Sequence, residues 1–317
     1  MAKTTHPIRF GLQTGQQLVE WSALLDLWQR ADDWGYDSLW AFDHFYPIFV
    51  DPKGPCLEGW TLLAALAQAT MRARVGHLVT SNTYRNPCVL GKMAATVDQV
   101  SGGRLNLGIG AGWFELEHKA FGLDFMTVPG RLQALEESLQ ILKSLFTQET
   151  TTFHGRHYTV TDAMCLPAPL QKPHPPIMIG GTGRKVLLRI VAQYADMWNA
   201  TGTASEMADL IGVIERHGEK VGRDPTAIEK TVMIPLCYQA PKDREEFVCQ
   251  LIAQMRQTTP EKARESIMVG SKQECIDTVE RYADAGVTHF IFMLFTPYFR
   301  EDIQAFAEEV APHFRNA

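Results

Sequence analysis

The chain has 317 residues, 45% of them hydrophobic and 21% charged, which is the balance of an ordinary soluble protein long enough for one large barrel or two smaller domains. Thirty Lys and Arg against 36 Asp and Glu leave a net charge of −6 with no dense basic run, which argues against nucleic-acid and membrane-surface partners. Apolar runs such as Phe290 to Phe295 fall far short of the roughly 20 residues of a spanning helix. Met1 to Thr14 has no signal-peptide core, so the expected location is the cytoplasm.

In chain order, short apolar stretches rich in β-branched and aromatic residues alternate with longer stretches of helical spacing. The first predicted strand is Ile8–Leu12, followed by a helix whose buried face carries Leu24, Leu27, Trp28 and Ala31. Strands Ser38–Ala41, Val75–Val79 and Leu105–Ile109 come next, then a helix with a stripe of Leu132, Leu135, Leu139, Leu142 and Leu145. From Thr150 to Pro176 the alternation breaks, with Gly155 in an expected hairpin turn and five prolines stiffening the chain from Pro167 to Pro176. Strands Ile177–Ile179, Met197–Asn199 and Thr231–Leu236 resume the pattern. Ser271 to Glu274 forms a capping box ahead of a helix over Ile276–Ala285, Gly286 ends it, and His289–Leu294 is the eighth strand. Eight strands in βα alternation, apolar on both faces, predict a parallel (β/α)8 TIM barrel of the α/β class, residues 1–317 forming a single domain. The broken stretch is read as an insertion between the fourth helix and fifth strand.

In such a barrel the chemistry sits where strands end, so the residues after each strand are the candidates. After the second strand comes Asp43-His44; a capping Asp beside a surface His is the plainer account of the dipeptide alone, and adjacent side chains on an extended strand diverge. After the third come Thr80-Ser-Asn-Thr-Tyr-Arg-Asn-Pro87, dense in hydroxyls and amides, equally a polar loop starting the next helix. After the fourth, Gly108, Gly110 and Gly112 stand at alternate positions where backbone can approach a flat ligand, and the dinucleotide fingerprint is not met, because no acidic residue ending a second strand follows about 20 residues later. After the fifth, Gly180-Gly181-Thr182-Gly183-Arg184 precedes a helical stripe, so free N–H groups, a hydroxyl and a guanidinium suit a phosphate, the competing reading being a plain tight turn. The six cysteines lack CxxC or Cys/His clustering and read as reduced, non-catalytic thiols. Asp43, His44 and His77 near strand ends lack the paired His spacing of a metal site, so none is expected.

Taken in order, Phe-Asp43-His44, Thr83-Tyr-Arg-Asn-Pro87, Ala95-Thr-Val-Asp-Gln-Val-Ser-Gly-Gly-Arg104, Gly110-Ala-Gly-Trp-Phe-Glu115, Pro176-Ile-Met-Ile-Gly-Gly181 and Tyr194-Ala-Asp-Met-Trp-Asn199 resemble the luciferase-like monooxygenase superfamily. The tone is closest to its branch using the deazaflavin coenzyme F420. The resemblance implies a homodimeric barrel that moves a hydride between F420 and a small organic substrate. The alternative is an FMN-dependent monooxygenase fed by a partner flavin reductase. It further implies a cis peptide at Leu78-Val79 against the ring, Asp43 at the ring's polar edge, and Thr80, Ala111 and Trp113 around its rim. Gly180, Gly181, Thr182 and Gly183 would hold the phosphate, and His44 would be the catalytic proton carrier. Relatives that oxidise sugar phosphates or alcohols carry a carboxylate where this chain has Trp113, which speaks against sugars and simple alcohols and leaves the substrate unidentified.

Overall fold

A computed structural model describes residues 6–315, so Met1 to Thr5, the head of the segment that lacks a signal-peptide core, lie outside the described residues. Eight parallel strands close on themselves: β1 Arg9–Thr14, β2 Ser38–Ala41, β3 Arg74–His77, β4 Leu105–Gly110, β5 Ile177–Gly180, β6 Met197–Ala200, β7 Glu229–Tyr238 and β8 His289–Leu294. Each pairs with its neighbours in chain order, and β8 closes onto β1 with Arg9 opposite His289 and Thr14 opposite Leu294. Several of these strands run one or two residues beyond their predicted carboxyl ends, while β3 stops early.

Helices coat the outside because each carries one apolar stripe. Trp21–Asp33 buries Leu24, Leu27, Trp28 and Ala31, and Val128–Thr147 buries Leu135, Leu139, Leu142 and Leu145, as their spacing predicts. The helix after the capping box starts at Lys272, because the Ser271 hydroxyl and Glu274 carboxylate take up orphan amides there. Between Val128–Thr147 and β5 lies an antiparallel hairpin, Thr151–His154 with Thr159–Ala163, tied down by Glu137, which accepts from the backbone N–H groups of Arg156, His157 and Tyr158 at 2.9, 2.9 and 3.1 Å. Its tip reaches the loop after β3, where Asn82 Nδ2 lies 3.4 Å from the Tyr158 hydroxyl.

One irregularity shapes the upper end of the barrel. β3 breaks after His77, the Leu78-Val79 peptide is cis, and pairing with β4 resumes at Thr80 and Ser81. The break is possible because β4 carries glycines: a Cβ on Gly108 would stand 1.9 Å from the His77 carbonyl oxygen, and one on Gly110 would stand 2.8 Å from Val79 Cγ2. Gly108 thus makes room for the neighbouring strand, while Gly110 both admits Val79 and lines the cavity at the strand ends.

The opposite end is closed by charge. Glu229, 5% exposed, takes Arg9 Nη1 at 2.9 Å and has His289 Nδ1 at 3.4 Å. Burial pushes its carboxyl up, but the His289 and Arg9 partners outweigh that and hold it at about 2 instead of 4.5. A depressed carboxyl stabilises the fold above pH 4.5 and loses that contribution as pH falls toward 2, here on the order of 3 kcal/mol. Urea unfolding of wild type is therefore expected to weaken more steeply between pH 4.5 and 2 than that of Glu229→Gln; parallel curves would refute the assignment.

Candidate active site

At the carboxyl ends of the strands opens a cavity of about 480 Å³. It is lined by His44, Asp43, Leu78, Val79, Thr80, Ala111, Trp113, Gly180, Gly181 and Thr182, while Gly183, Arg184, Gly108 and His77 do not line it. Asp43 and His44 both reach it. The divergence expected of neighbours on a strand does not apply, because β2 ends at Ala41 and the chain is irregular beyond it.

His44 is 7% exposed, with its ring packed edge-on against Phe42, Trp113 and Phe114 at centroid distances of 5.3, 5.6 and 5.6 Å. Its Nδ1 lies 2.8 Å from Oε2 of Glu117, a residue with no exposed surface. Glu117 also accepts from the Phe45 and Tyr46 amides at 2.5 and 2.8 Å and from the Tyr84 hydroxyl. Burial pushes the Glu117 carboxyl up, but the His44, Tyr84 and Tyr46 hydrogen bonds overcome it and hold the group below its ordinary value. An ionised carboxylate only accepts, so the proton between the two groups sits on His44 Nδ1. Glu117 is the group that reading the sequence missed. Glu115, the acid of the Gly-Trp-Phe-Glu motif, turns outward and pairs with Lys119 at 2.8 Å, because the helix Glu115–Phe121 places only Glu117 and His118 on its buried side.

Asp43 lines the cavity with its carboxylate already engaged. Arg85 Nη1 and Nη2 clamp it at 2.6 and 3.0 Å, Ser81 N–H donates at 3.3 Å, and the Thr80 hydroxyl donates to it while accepting from Trp60 Nε1 at 2.9 Å. Arg85 also holds Glu58 at 2.7 Å, so one guanidinium joins the loops after β2 and β3. Burial pulls the Arg85 guanidinium down, but Asp43 and Glu58 outweigh it and raise it further, so it stays charged.

After β5 the glycines do not open the helix directly, since Leu187–Tyr194 begins four residues past Gly183. Gly181 N–H donates to the Asn199 carbonyl at 3.0 Å and its own carbonyl accepts from Trp198 Nε1 at 2.8 Å, at a φ of +126° that L side chains rarely adopt. Arg184 points away to pair with Asp209. Thr182 is left lining the cavity, and the backbone N–H groups from Thr182 to Lys185 in the exposed turn beyond it find no hydrogen-bond partner among the described residues.

The sequence profile of the luciferase-like monooxygenases matches residues 3–262. The chain belongs to that family. Among curated relatives, an F420-dependent glucose-6-phosphate dehydrogenase from Microbacterium testaceum is 26% identical over 98% of both chains. An FMNH(2)-dependent dimethylsulfone monooxygenase from Pseudomonas putida is 35% identical, over 40% of this luciferase-like chain and 35% of its own. A solved F420-dependent secondary alcohol dehydrogenase in complex with an F420-acetone adduct superposes with a TM-score of 0.84 over 96% of this chain and 99% of its own at 22% identity, which shows the barrel fold.

Proposed function

We propose that the chain is an F420-dependent oxidoreductase that transfers a hydride between the deazaflavin and a small organic substrate, with His44 managing the accompanying proton. The single observation that carries this is the His44–Glu117 pair: a buried carboxylate fixes the imidazole tautomer and leaves Nε2 as a base within a cavity large enough for a planar ring.

The cavity suits that coenzyme. Leu78 and Val79 supply an apolar wall, Ala111 and Gly112 a rim of backbone, and Thr182 with the unpaired N–H groups beside it a cradle for phosphate. When bound, the deazaflavin supplies hydride acceptance and donation. The protein's part is orientation and proton handling: Trp113 and Phe42 hold His44 by its ring faces and edges, and Glu117 fixes which nitrogen is free.

Anaerobic titration of the purified chain with F420 and with FMN tests the reading, the expected result being saturable binding of F420 with weaker binding of FMN. The opposite order, with oxygen consumed when reduced flavin is supplied, would establish the monooxygenase reading that the partial match to the dimethylsulfone enzyme favours. Thr182→Val removes one hydroxyl and keeps the shape, so F420 affinity is expected to fall about tenfold, about 1.4 kcal/mol. It is a cleaner test than a side chain at Gly181, whose Cβ would strike Leu187 Cδ2 at 2.5 Å and strain the loop with or without a ligand.

A further inference from the structure

Beside the main cavity lies a second chamber of about 290 Å³ that the coenzyme reading does not use. On one side it is lined by Phe247, Leu251 and Met255 of the helix Lys242–Arg256, and on the other by Leu18 and Val50. Gln13, Phe42, Ile48, Phe49 and Met293 line both spaces, so the chamber adjoins the cavity where His44 stands. Phe49 forms the partition: it sits at a φ of +63°, uncommon for so bulky a residue, and stacks on Trp113 at 5.7 Å and 14°. No Lys or Arg lines either space, and the chamber has no charged lining residue at all among the described residues. Its mouth carries large apolar side chains left in water, with Phe49 65%, Phe247 62% and Val50 48% exposed. A clustered apolar surface of this kind marks a binding site, and the walls it shares with the cavity of His44 point to a small molecule that spans both.

We propose, resting on the F420-dependent reading of the main cavity, that the substrate is an uncharged alcohol or carbonyl compound with an apolar tail of about ten carbons, seated with its reacting carbon beside His44 and its tail in this chamber. At about 30 Å³ for each water-sized group, the chamber holds about ten of them. A phosphate-bearing sugar has no cation to meet in either space. In the oxidative direction the bound deazaflavin would supply the two-electron acceptor for the hydride that the carbinol carbon gives up. The O–H proton passes to His44 Nε2 and the C=O bond forms. Reduction of the carbonyl is the reverse.

The test is calorimetric binding of straight-chain 2-alkanones, from butanone to undecanone, to the full-length protein with and without F420. Each added methylene that enters the chamber is expected to tighten binding about fourfold, the gain levelling off near ten carbons. Phe247→Asp and Met255→Glu alter side chains that are already more than a third exposed and do not line the main cavity. Each is expected to weaken 2-decanone at least tenfold and flatten the chain-length slope while F420 affinity stays as in wild type. A flat slope in wild-type protein, or tighter binding of glucose 6-phosphate than of every alkanone, overturns the chamber. Absence of F420 binding overturns the coenzyme reading instead, and the slope measured without coenzyme then still decides the chamber.

Discussion

Replacing His44 with Asn is expected to lower turnover by about 10²–10⁴ while coenzyme affinity stays nearly unchanged. The amide keeps much of the size and one hydrogen-bonding edge toward Glu117, but it has no basic nitrogen. Because Nδ1 is committed to Glu117 at 2.8 Å, the lost function is that of Nε2, the atom facing away from the carboxylate. The tautomer itself is readable: ¹⁵N resonances of the His44 ring should show a protonated Nδ1 and a bare Nε2 in the neutral form. If His44→Asn releases the coenzyme and keeps the rate per bound coenzyme, His44 is a binding residue and the catalytic assignment is wrong. If Nε2 proves to be the protonated atom, the base role fails even where the rate falls.

Arg85→Met is expected to cost the fold about 3–5 kcal/mol, measured as urea unfolding, because it strands a buried charge. The Asp43 carboxylate beneath Arg85 has no exposed side-chain surface, and Arg85 itself has only 13%. Met retains most of the aliphatic volume, so the loss isolates the charge. Asp43→Asn in the same chain should recover part of it, since an amide can lie beside Thr80 and Ser81 without a counterion. A loss below about 1 kcal/mol would mean that the pair is screened like a surface salt bridge and does not hold the loops after β2 and β3 together.

The barrel was legible because period and composition repeat. β2 and β8 stand where their apolar runs begin and end, and the helix stripes face inward as spaced. Strand ends were less legible where pairing, not composition, decides them: β7 runs on to Tyr238 because its far end also pairs with Met268–Gly270. The site was legible as a set of positions and poorly legible as a set of partners. Asp43 stands in the cavity, but nothing local to Phe-Asp-His tells that Arg85, 42 residues away, would occupy its oxygens. Glu117 lay two residues past the acid that the motif drew attention to. The signal that finds it is the helical phase after Phe114, which turns Glu115 to water and Glu117 inward. Likewise the sequence of β4 alone does not tell that Gly108 and Gly110 also make room for the bulge of the next strand over, while Gly110 and Gly112 line the cavity as their spacing suggests.

Closure of the barrel also sets a timetable for its synthesis. β1 hydrogen-bonds along its length to β8, and Arg9 must wait for His289, 289 − 9 = 280 residues later. At about 5–20 residues per second, the ribosome leaves that edge of β1 without its partner for roughly 14–56 s. An unpaired strand edge for so long is a template for wrong pairing. Nascent chains stalled before residue 289 should therefore be the forms that chaperones hold and that aggregate when chaperones are depleted, while release of the last strand ends the hazard in one step.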